Sequence, residues 1–249
     1  MGEAKRRQQT GQPSLLARKN QKQRWIGGTL VIIGLIAVIS AVYWLSNPRL
    51  MQPSGLPTAE GRDNFPANHD RLGVQLGDSG APIVVREFAD YECPACKRFS
   101  SAVDKLKAEY IDKGRVRYVF FDLPLRQHDN AVPAAQAARC AEDQGAWWPM
   151  HRKLFAEQSS WNTASDPEAV FTRYAGSLDL DQRRFGRCLS ADIHLGEIDR
   201  NRNLARQLGI TGTPTVLVDN IPLNRTNWAQ LSAVIERELK REDGSERAQ

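Results

Sequence analysis

The chain has 249 residues and a formal net charge of +5, with 34 Lys and Arg against 29 Asp and Glu. Residues 1–24 hold seven of these cations and one of the acids, so the remaining 27 cations and 28 acids nearly cancel. Because the excess charge is confined to one end, and no basic stripe interleaved with aromatic residues follows it, we expect no nucleic-acid partner.

The segment after the basic N-terminus is predicted to be a transmembrane anchor in the cell membrane. Residues 25–45 carry no charge and give about 20 apolar positions, enough for a helix to cross roughly 30 Å of hydrocarbon. The positive-inside rule leaves the N-terminus in the cytoplasm and predicts a single-pass protein whose catalytic domain is extracytoplasmic or periplasmic. A cleaved signal peptide is the alternative, but the apolar run is long for one and no clear cleavage site follows.

The region beyond the anchor divides into a linker, a domain and a tail. Residues 46–80 are rich in Pro and Gly, which disfavours regular structure and suits an extended linker. Residues 81–241 are predicted to form one domain, a size that can bury a hydrophobic core. Residues 242–249 are polar and are expected to form a flexible tail.

The predicted domain opens with a strand–helix–strand pattern. Residues 82–90 are rich in β-branched residues, residues 94–111 place apolar side chains on one helical face, and residues 115–125 predict a second strand. Helical patterns then fill residues 130–207. A β-hairpin from about residue 213 and an amphipathic helix complete the pattern.

Two of the four cysteines, Cys93 and Cys96, lie three apart where the first strand is predicted to meet the first helix. Unpaired N–H groups and the positive end of the dipole at a helix N-terminus stabilise a thiolate, the reactive form in disulfide exchange. We therefore expect Cys93 to be an acidic nucleophile and Cys96, one turn further in, to be the resolving thiol. Pro94 suits the first helical position, where its missing N–H costs nothing.

The spacing of this pair alone would also suit a metal or a haem. Zinc needs two further ligands, and the other cysteines and the four histidines form no second C-x-x-C and no H-x-x-H pattern. Haem attachment needs a histidine where the chain has Lys97. An accidental pair at a turn is the last alternative. We predict no metal, and no cofactor beyond the redox-active disulfide Cys93–Cys96.

In the order of these features the chain resembles the DsbA-like thiol-disulfide oxidoreductases of the thioredoxin superfamily. The resemblance covers about residues 70–240. Its marks are Glu87-Phe88, Cys93-Pro94-Ala95-Cys96, the helical block and Gly212-Thr213-Pro214-Thr215. It implies an α/β thioredoxin fold with a helical insertion at about residues 128–209, preceded here by the N-terminal transmembrane helix.

The resemblance also implies roles for single residues. Pro214 would be a cis-proline beside the dithiol, and Thr213 would pair with an extended substrate segment. A trans proline that begins a strand is the alternative. Glu87 would be a buried acid that helps protons reach Cys96, whereas the alternative is an exposed edge position.

Cys140 and Cys188 each lie in a predicted helix of the insertion. In an oxidising compartment such residues are more often bridged than free, and pairing Cys93 with Cys96 leaves them to each other. We therefore predict a structural disulfide between them, with two buried free thiols as the alternative. Closing a loop of this length gives an upper estimate of about 4 kcal/mol from chain entropy.

Three tryptophans of the helical block, Trp147, Trp148 and Trp161, could line a peptide groove. Aromatic side chains in a thin helical layer more often form its core, so we assign them to the core. His128, just after the second predicted strand, is interpreted as an ordinary loop histidine.

The resemblance implies a protein disulfide oxidoreductase that introduces disulfides into exported proteins and peptides and is reoxidised by a DsbB- or VKOR-like membrane oxidase. The anchor, inserted in the lipid bilayer, would raise the encounter rate with that oxidase. Strongly oxidising members have a histidine where this chain has Ala95, so an extracytoplasmic reductase or isomerase remains the alternative. A third alternative is a tethered metal-binding or chaperone module that retains a metal without turnover.

Overall fold

The computed structural model describes Gly34, residues 56–58 and residues 65–246. Apart from Gly34, the predicted anchor at residues 25–45 lies outside the described residues, as does the basic segment before it. Within the part that is described, no helix has both the length and the hydrophobicity that crossing a bilayer requires.

The described domain follows the predicted order of elements. The strands are β1 (Val74–Leu76), β2 (Ile83–Ala89), β3 (Val116–Asp122), β4 (Thr215–Val218) and β5 (Ile221–Pro222). The helices are α1 (Pro94–Glu109), α2 (Ala131–Glu142), α3 (Trp147–Ala156), α4 (Gln158–Trp161), α5 (Pro167–Ser177), α6 (Gln182–Ser190), α7 (Leu195–Gln207) and α8 (Trp228–Glu246). Helix α8 therefore runs past the predicted domain end at residue 241.

The strands form one five-stranded sheet in the order β1-β3-β2-β4-β5. Strands β2 and β3 are parallel, with Ala89 opposite Asp122, and the other neighbours are antiparallel. A parallel pair needs a crossover connection, which α1 supplies. The arrangement agrees with the α/β thioredoxin fold that the resemblance implies.

Helices cover both faces of the central strands, so both faces are buried. On one face, Val85 packs in a cluster with residues of α1, α8 and the helical block. On the other face, Phe88 and Phe121 stack with their ring centroids 4.5 Å apart and pack with residues of α7. Because side chains alternate along a strand, Glu87 lies on the same face as Val85 and α1.

Part of the predicted linker belongs to the folded domain. A 3-10 helix at Ala67–Leu72 and strand β1 at Val74–Leu76 lie within it. A Cβ at Gly73 would lie 2.6 Å from Cγ1 of Val119, and Gly77 has a φ of +98°. These glycines allow the chain to turn and to approach β3 closely, which is a different use of glycine from a flexible linker.

The helical block lies at the carboxyl ends of β2 and β3. Helices α2 to α7 fall inside the predicted insertion at residues 128–209. Helix α2 is rich in alanine and almost wholly buried, because small side chains let neighbouring helices pack closely against it. The buried Arg139 pairs with Asp122 at 2.8 Å and so links α2 to the end of β3. The block is thereby placed next to the turn that holds the dithiol.

Candidate active site around Cys93 and Cys96

Cys93 lies at the start of α1, directly after the turn that follows β2. It is the N-cap residue, and Pro94 occupies the first turn of the helix. The N–H of Cys93 donates to the carbonyl oxygen of Asp90 at 3.1 Å, which closes the turn. The sulfur therefore lies at the positive end of the helix dipole, beside N–H groups that a helix leaves unpaired.

The surroundings of Cys93 favour its thiolate. Its pKa is lowered from 9.0 to about 5, chiefly by a hydrogen bond from the Cys96 thiol. Burial works against this shift, whereas the Thr213 side chain and the N–H groups of Cys96 and Ala95 lower the pKa further. Among the described residues, the buried Thr213 Oγ1 has no hydrogen-bond partner, so its hydroxyl is available to donate to the Cys93 thiolate. A thiol with a pKa near 5 is about 99% ionised at pH 7, against about 1% for a pKa near 9.

Cys96 has the opposite environment. It lies in the first turn of α1 and is completely buried. Burial raises its pKa far above the ordinary value, and the hydrogen bond to Cys93 and the negative charge of Glu87 raise the pKa further. At neutral pH the pair therefore holds one thiolate and one thiol, so that one sulfur can attack while the other keeps its proton.

Glu87 is a buried acid on the side of β2 that faces α1. Only 1% of it is exposed, and its Oε2 accepts a hydrogen bond from the Tyr118 hydroxyl at 2.6 Å. Burial raises the pKa of Glu87 to about 7, and the bond from Tyr118 offsets part of that rise. The alternative of an edge position is wrong, because β2 lies between β3 and β4. A carboxyl group with this pKa can both give and take a proton near neutral pH.

The Thr213–Pro214 peptide bond is cis, as the resemblance implies. The Cys93 Sγ lies 3.5 Å from the Thr213 carbonyl oxygen, so the chain just before β4 closes over the dithiol. An open groove of about 1010 Å³ is lined by Thr213 and Pro214 together with Ile210, Leu217 and Phe65. The groove lies next to Cys93, because the Cys93 sulfur contacts Thr213, one of its lining residues.

Asp90 organises the loops around the dithiol. Its Oδ1 accepts the N–H of Glu92 at 2.7 Å, and its Oδ2 accepts the N–H of Leu125 at 2.8 Å and contacts His128 Nδ1 at 2.7 Å. Burial works to lower the pKa of His128, but the Asp90 carboxylate outweighs it, with help from Glu92 and Cys93, and raises that pKa overall. His128 is therefore a loop residue that contacts the active-site turn through Asp90, a contact that its interpretation as an ordinary loop histidine did not include.

Gln158 ties the helical block to the same turn. Its Nε2 donates to the carbonyl oxygens of Tyr91 at 2.7 Å and Cys93 at 3.1 Å. Sequence reasoning missed Gln158, Tyr118 and Asp90. Asp90 could have been suspected from its place just before the C-x-x-C pair, whereas no local pattern marks the other two.

The three tryptophans belong to the core, as predicted. Trp147 and Trp161 are buried, and the partly buried Trp148 packs against the same cluster. His151 packs against Trp147 and Trp148 and contacts the Tyr91 hydroxyl through Nδ1 at 3.0 Å. Burial lowers the pKa of His151 to about 3, so its ring is neutral at physiological pH.

Cys140 of α2 and Cys188 of α6 form the predicted disulfide. Their sulfurs are 1.97 Å apart and their Cα atoms 5.8 Å apart. The bond lies within the helical block and joins two of its helices across a sequence separation of 48 residues. It leaves Cys93 and Cys96 as the free pair, which is the state of the dithiol described above.

A thiolate paired with a buried thiol is the chemistry of disulfide exchange, and the sheet and helices that hold the pair are those of thioredoxin. The molecule is therefore of the class of thioredoxin-fold thiol-disulfide oxidoreductases. Comparison with known proteins agrees, since a family model described as Thioredoxin matches residues 70–237. The chain belongs to this thioredoxin family, and within it the chain is DsbA-like.

Individual relatives support the same assignment. The probable disulfide bond formation protein D of Bacillus anthracis is 30% identical over 176 residues, which cover 67% of this chain and 78% of that protein. The crystal structure of oxidised BdbD from Bacillus subtilis superposes with a TM-score of 0.62 at 26% identity, covering 75% of this chain and 97% of BdbD. The Na(+)/H(+) antiporter NhaA 3 of Salinispora tropica is 36% identical over 188 residues, but the match, 73% of this chain, spans only 28% of that antiporter.

Proposed function

We propose that this chain is a membrane-anchored extracytoplasmic oxidoreductase that introduces disulfides into exported proteins through the Cys93–Cys96 pair. Residues 1–24 would remain in the cytoplasm and residues 25–45 would form the anchor. The observation that carries the proposal is the opposite shift of the two thiols, with the pKa of Cys93 lowered to about 5 and that of Cys96 raised. A stabilised thiolate favours the reduced form of the pair, and a dithiol whose reduced form is stabilised is an oxidant.

The first step begins from the Cys93–Cys96 disulfide. A substrate thiolate attacks the Cys93 sulfur, the Cys93–Cys96 bond breaks, and a mixed disulfide forms between substrate and Cys93. Cys96 leaves with the electron pair of that bond and takes a proton, because its buried thiolate is strongly disfavoured. Glu87, with a pKa of about 7, is the acid that supplies this proton.

The second step releases the product. A second substrate thiolate attacks the substrate sulfur of the mixed disulfide, and Cys93 leaves as a thiolate. A thiol with a pKa near 5 is a good leaving group, so release is fast. The substrate has lost two electrons and gained one disulfide, and the enzyme pair is reduced. During reoxidation Glu87 acts as the base and accepts the proton of Cys96.

We propose the substrate and the redox partner from chemistry and from the resemblance. An extended substrate segment would pair with the backbone at Thr213 and lie in the groove that Thr213 and Pro214 line. A DsbB- or VKOR-like membrane oxidase would reoxidise the pair, and the anchor would keep both proteins in one bilayer. The Bacillus anthracis relative is a probable disulfide bond formation protein, which supports the oxidising direction.

The proposal is tested with the oxidised full-length chain in detergent and a reduced model protein that has several cysteines. We expect multiple turnovers when oxidised glutathione is supplied and no activity from Cys93→Ser. Cys96→Ser cannot close the disulfide, so oxidised glutathione should leave a glutathionyl group on Cys93. A substrate with a single cysteine should displace that group and stay trapped as a mixed disulfide, because it has no second thiol to release it. The double variant Cys140→Ser, Cys188→Ser is the matched control, and its remaining dithiol should still oxidise substrate. A reduction potential well below that of the glutathione pool would contradict the proposal and indicate that the chain is a reductase.

A further inference from the structure

The Cys140–Cys188 disulfide is surrounded by the donor atoms of a metal site. The two sulfurs and a ring nitrogen of His194 lie within 4.8 Å of one another. Asp143 Oδ2 is 3.8 Å from Cys188 Sγ and 2.9 Å from His194 Nε2. On the other side of the ring, Nδ1 of His194 contacts Glu197 Oε2 at 2.9 Å.

We propose that reduction of this disulfide creates a zinc site, with Cys140, Cys188, His194 and Asp143 as its four ligands. Two thiolates, an imidazole and a carboxylate are the donors that zinc prefers. Tetrahedral zinc with Zn–S bonds of about 2.3 Å places its two sulfurs about 3.7 Å apart. Once the S–S bond is broken, rotating one cysteine side chain about its Cα–Cβ bond by roughly 60°, or both by roughly 30°, gives that separation.

The surroundings of His194 match those of a metal ligand. Zinc-bound histidines usually donate their second ring N–H to a carboxylate, which fixes the orientation of the ring. Glu197 occupies that position at Nδ1. In the proposed site Nε2 turns its lone pair to the metal, and Asp143, now in contact with that nitrogen, becomes the fourth ligand.

The proposed zinc site is accessible to solvent on the side that carries Asp143 and Glu197. The side chains of Asp143 and Glu197 are 38% and 40% exposed, and Cys188 retains 8% exposure. Cys140, by contrast, is fully buried in α2. A reductant or a metal ion would therefore approach past the two carboxylates and reach Cys188 first.

The chemistry balances with a dithiol as the reductant. The dithiol gives two electrons and two protons, its sulfurs join in a disulfide, and the Cys140–Cys188 bond becomes two thiols. Zinc then displaces the two thiol protons. The metal would connect α2 to α6 in place of the lost bond and keep the helical block folded under reducing conditions. This role is independent of the reaction proposed for Cys93 and Cys96.

The test uses the full-length chain in detergent with Cys93→Ser and Cys96→Ser, so that only the second pair can bind metal. Half of the sample is reduced with a phosphine, which leaves as its oxide with oxygen from water, and both halves are dialysed against Zn²⁺ without oxygen. We expect one zinc per reduced chain and at least about 100-fold weaker binding to the oxidised chain. Co²⁺ should give the charge-transfer absorption of thiolate ligands in the reduced sample alone.

Two further variants make the assignment specific. His194→Ala should weaken zinc binding at least about tenfold, and Glu197→Gln about tenfold through loss of the outer hydrogen bond. His69→Ala, which changes a histidine outside both the cluster and the active-site turn, should bind like the parent. The folding of each variant is checked by circular dichroism in the oxidised state, which the disulfide stabilises. Equal zinc binding before and after reduction, or undiminished binding by a folded His194→Ala chain, would overturn the proposal.

Discussion

Replacing Tyr118 with Phe should raise the pKa of Glu87 and slow the proton transfer that Cys96 needs. The Tyr118 hydroxyl donates to Glu87 Oε2 at 2.6 Å, and both residues are buried. A hydrogen bond to a buried charged group contributes about 1.5–3 kcal/mol, and one pKa unit corresponds to about 1.36 kcal/mol. The pKa of Glu87 should therefore rise from about 7 by roughly one to two units.

The kinetic effect follows from the ionised fraction of Glu87. Near pH 7 about half of the carboxyl groups are ionised in the parent, against roughly 1–10% in Tyr118→Phe. Reoxidation of the reduced pair by oxidised glutathione should thus slow about 5- to 50-fold near pH 7 and recover above about pH 9. The pKa itself can be read from the carboxyl band in infrared difference spectra.

Tyr174→Phe is the matched control. Tyr174 is partly buried in the helical block, packs against the core there, and lies near Lys153. Its loss should leave both the infrared midpoint and the pH profile of reoxidation where they are in the parent. A Glu87 midpoint that stays at the parent value in Tyr118→Phe, or that moves equally in Tyr174→Phe, would refute the reasoning.

Three further predictions concern stability, measured by urea unfolding. The pKa of Glu87 is about 7 in the folded chain against 4.5 ordinarily, so its ionisation lowers the free energy of unfolding by about 3 kcal/mol. This loss of stability grows as pH rises from about 4.5 to 7. Glu87→Gln should therefore raise the free energy of unfolding by about 3 kcal/mol near pH 8.5 and by almost nothing near pH 4. Equal gains at both pH values would contradict this. The double variant Cys140→Ser, Cys188→Ser should lose up to about 4 kcal/mol of loop-closure stabilisation, and a loss below about 1 kcal/mol would show that the bond contributes little. The pKa of His128 is raised in the folded chain, so its contribution to stability is present below about pH 6.5 and fades as pH rises. His128→Ala should therefore destabilise the chain near pH 5.5 and be nearly neutral near pH 9. The reverse order would be inconsistent with the Asp90 contact.

The position of the dithiol could be predicted from the sequence because its causes are local. A β-rich run that stops before Asp90, a proline at position 94 and apolar spacing after it specify a strand, a turn and a helix start. The acidity of Cys93 follows from that start. The cis state of Pro214 came from resemblance alone, since no local pattern distinguishes a cis from a trans proline there.

The partners of Glu87 and of the active-site turn could not be predicted, because they depend on long-range contacts. Tyr118 reaches Glu87 because the β2–β3 register places Glu87 opposite Phe120, two residues beyond Tyr118 on the same face. Gln158 reaches the turn from a helix 65 residues away from Cys93. Periodicity indicates which face of a strand is buried, but it does not indicate which side chains meet there.

Composition is a poor guide to structure where a glycine is needed for steric reasons. The predicted linker was assigned from its proline and glycine content, yet Gly73 and Gly77 allow the chain to approach β3 closely. The ligand cluster around His194 could not be predicted from the sequence. Its ligand atoms come from three helices or their ends, so their spacing in sequence matches no metal motif.

The central claim is that the sulfur of Cys93 is a stabilised thiolate at the start of α1. The most direct measurement is the rate at which iodoacetamide alkylates the reduced full-length chain as a function of pH, with mass spectrometry to locate the label. We predict that Cys93 alone reacts quickly and that its rate has a midpoint near pH 5. A midpoint between about 8 and 9, which is that of an ordinary free thiol, would contradict the account.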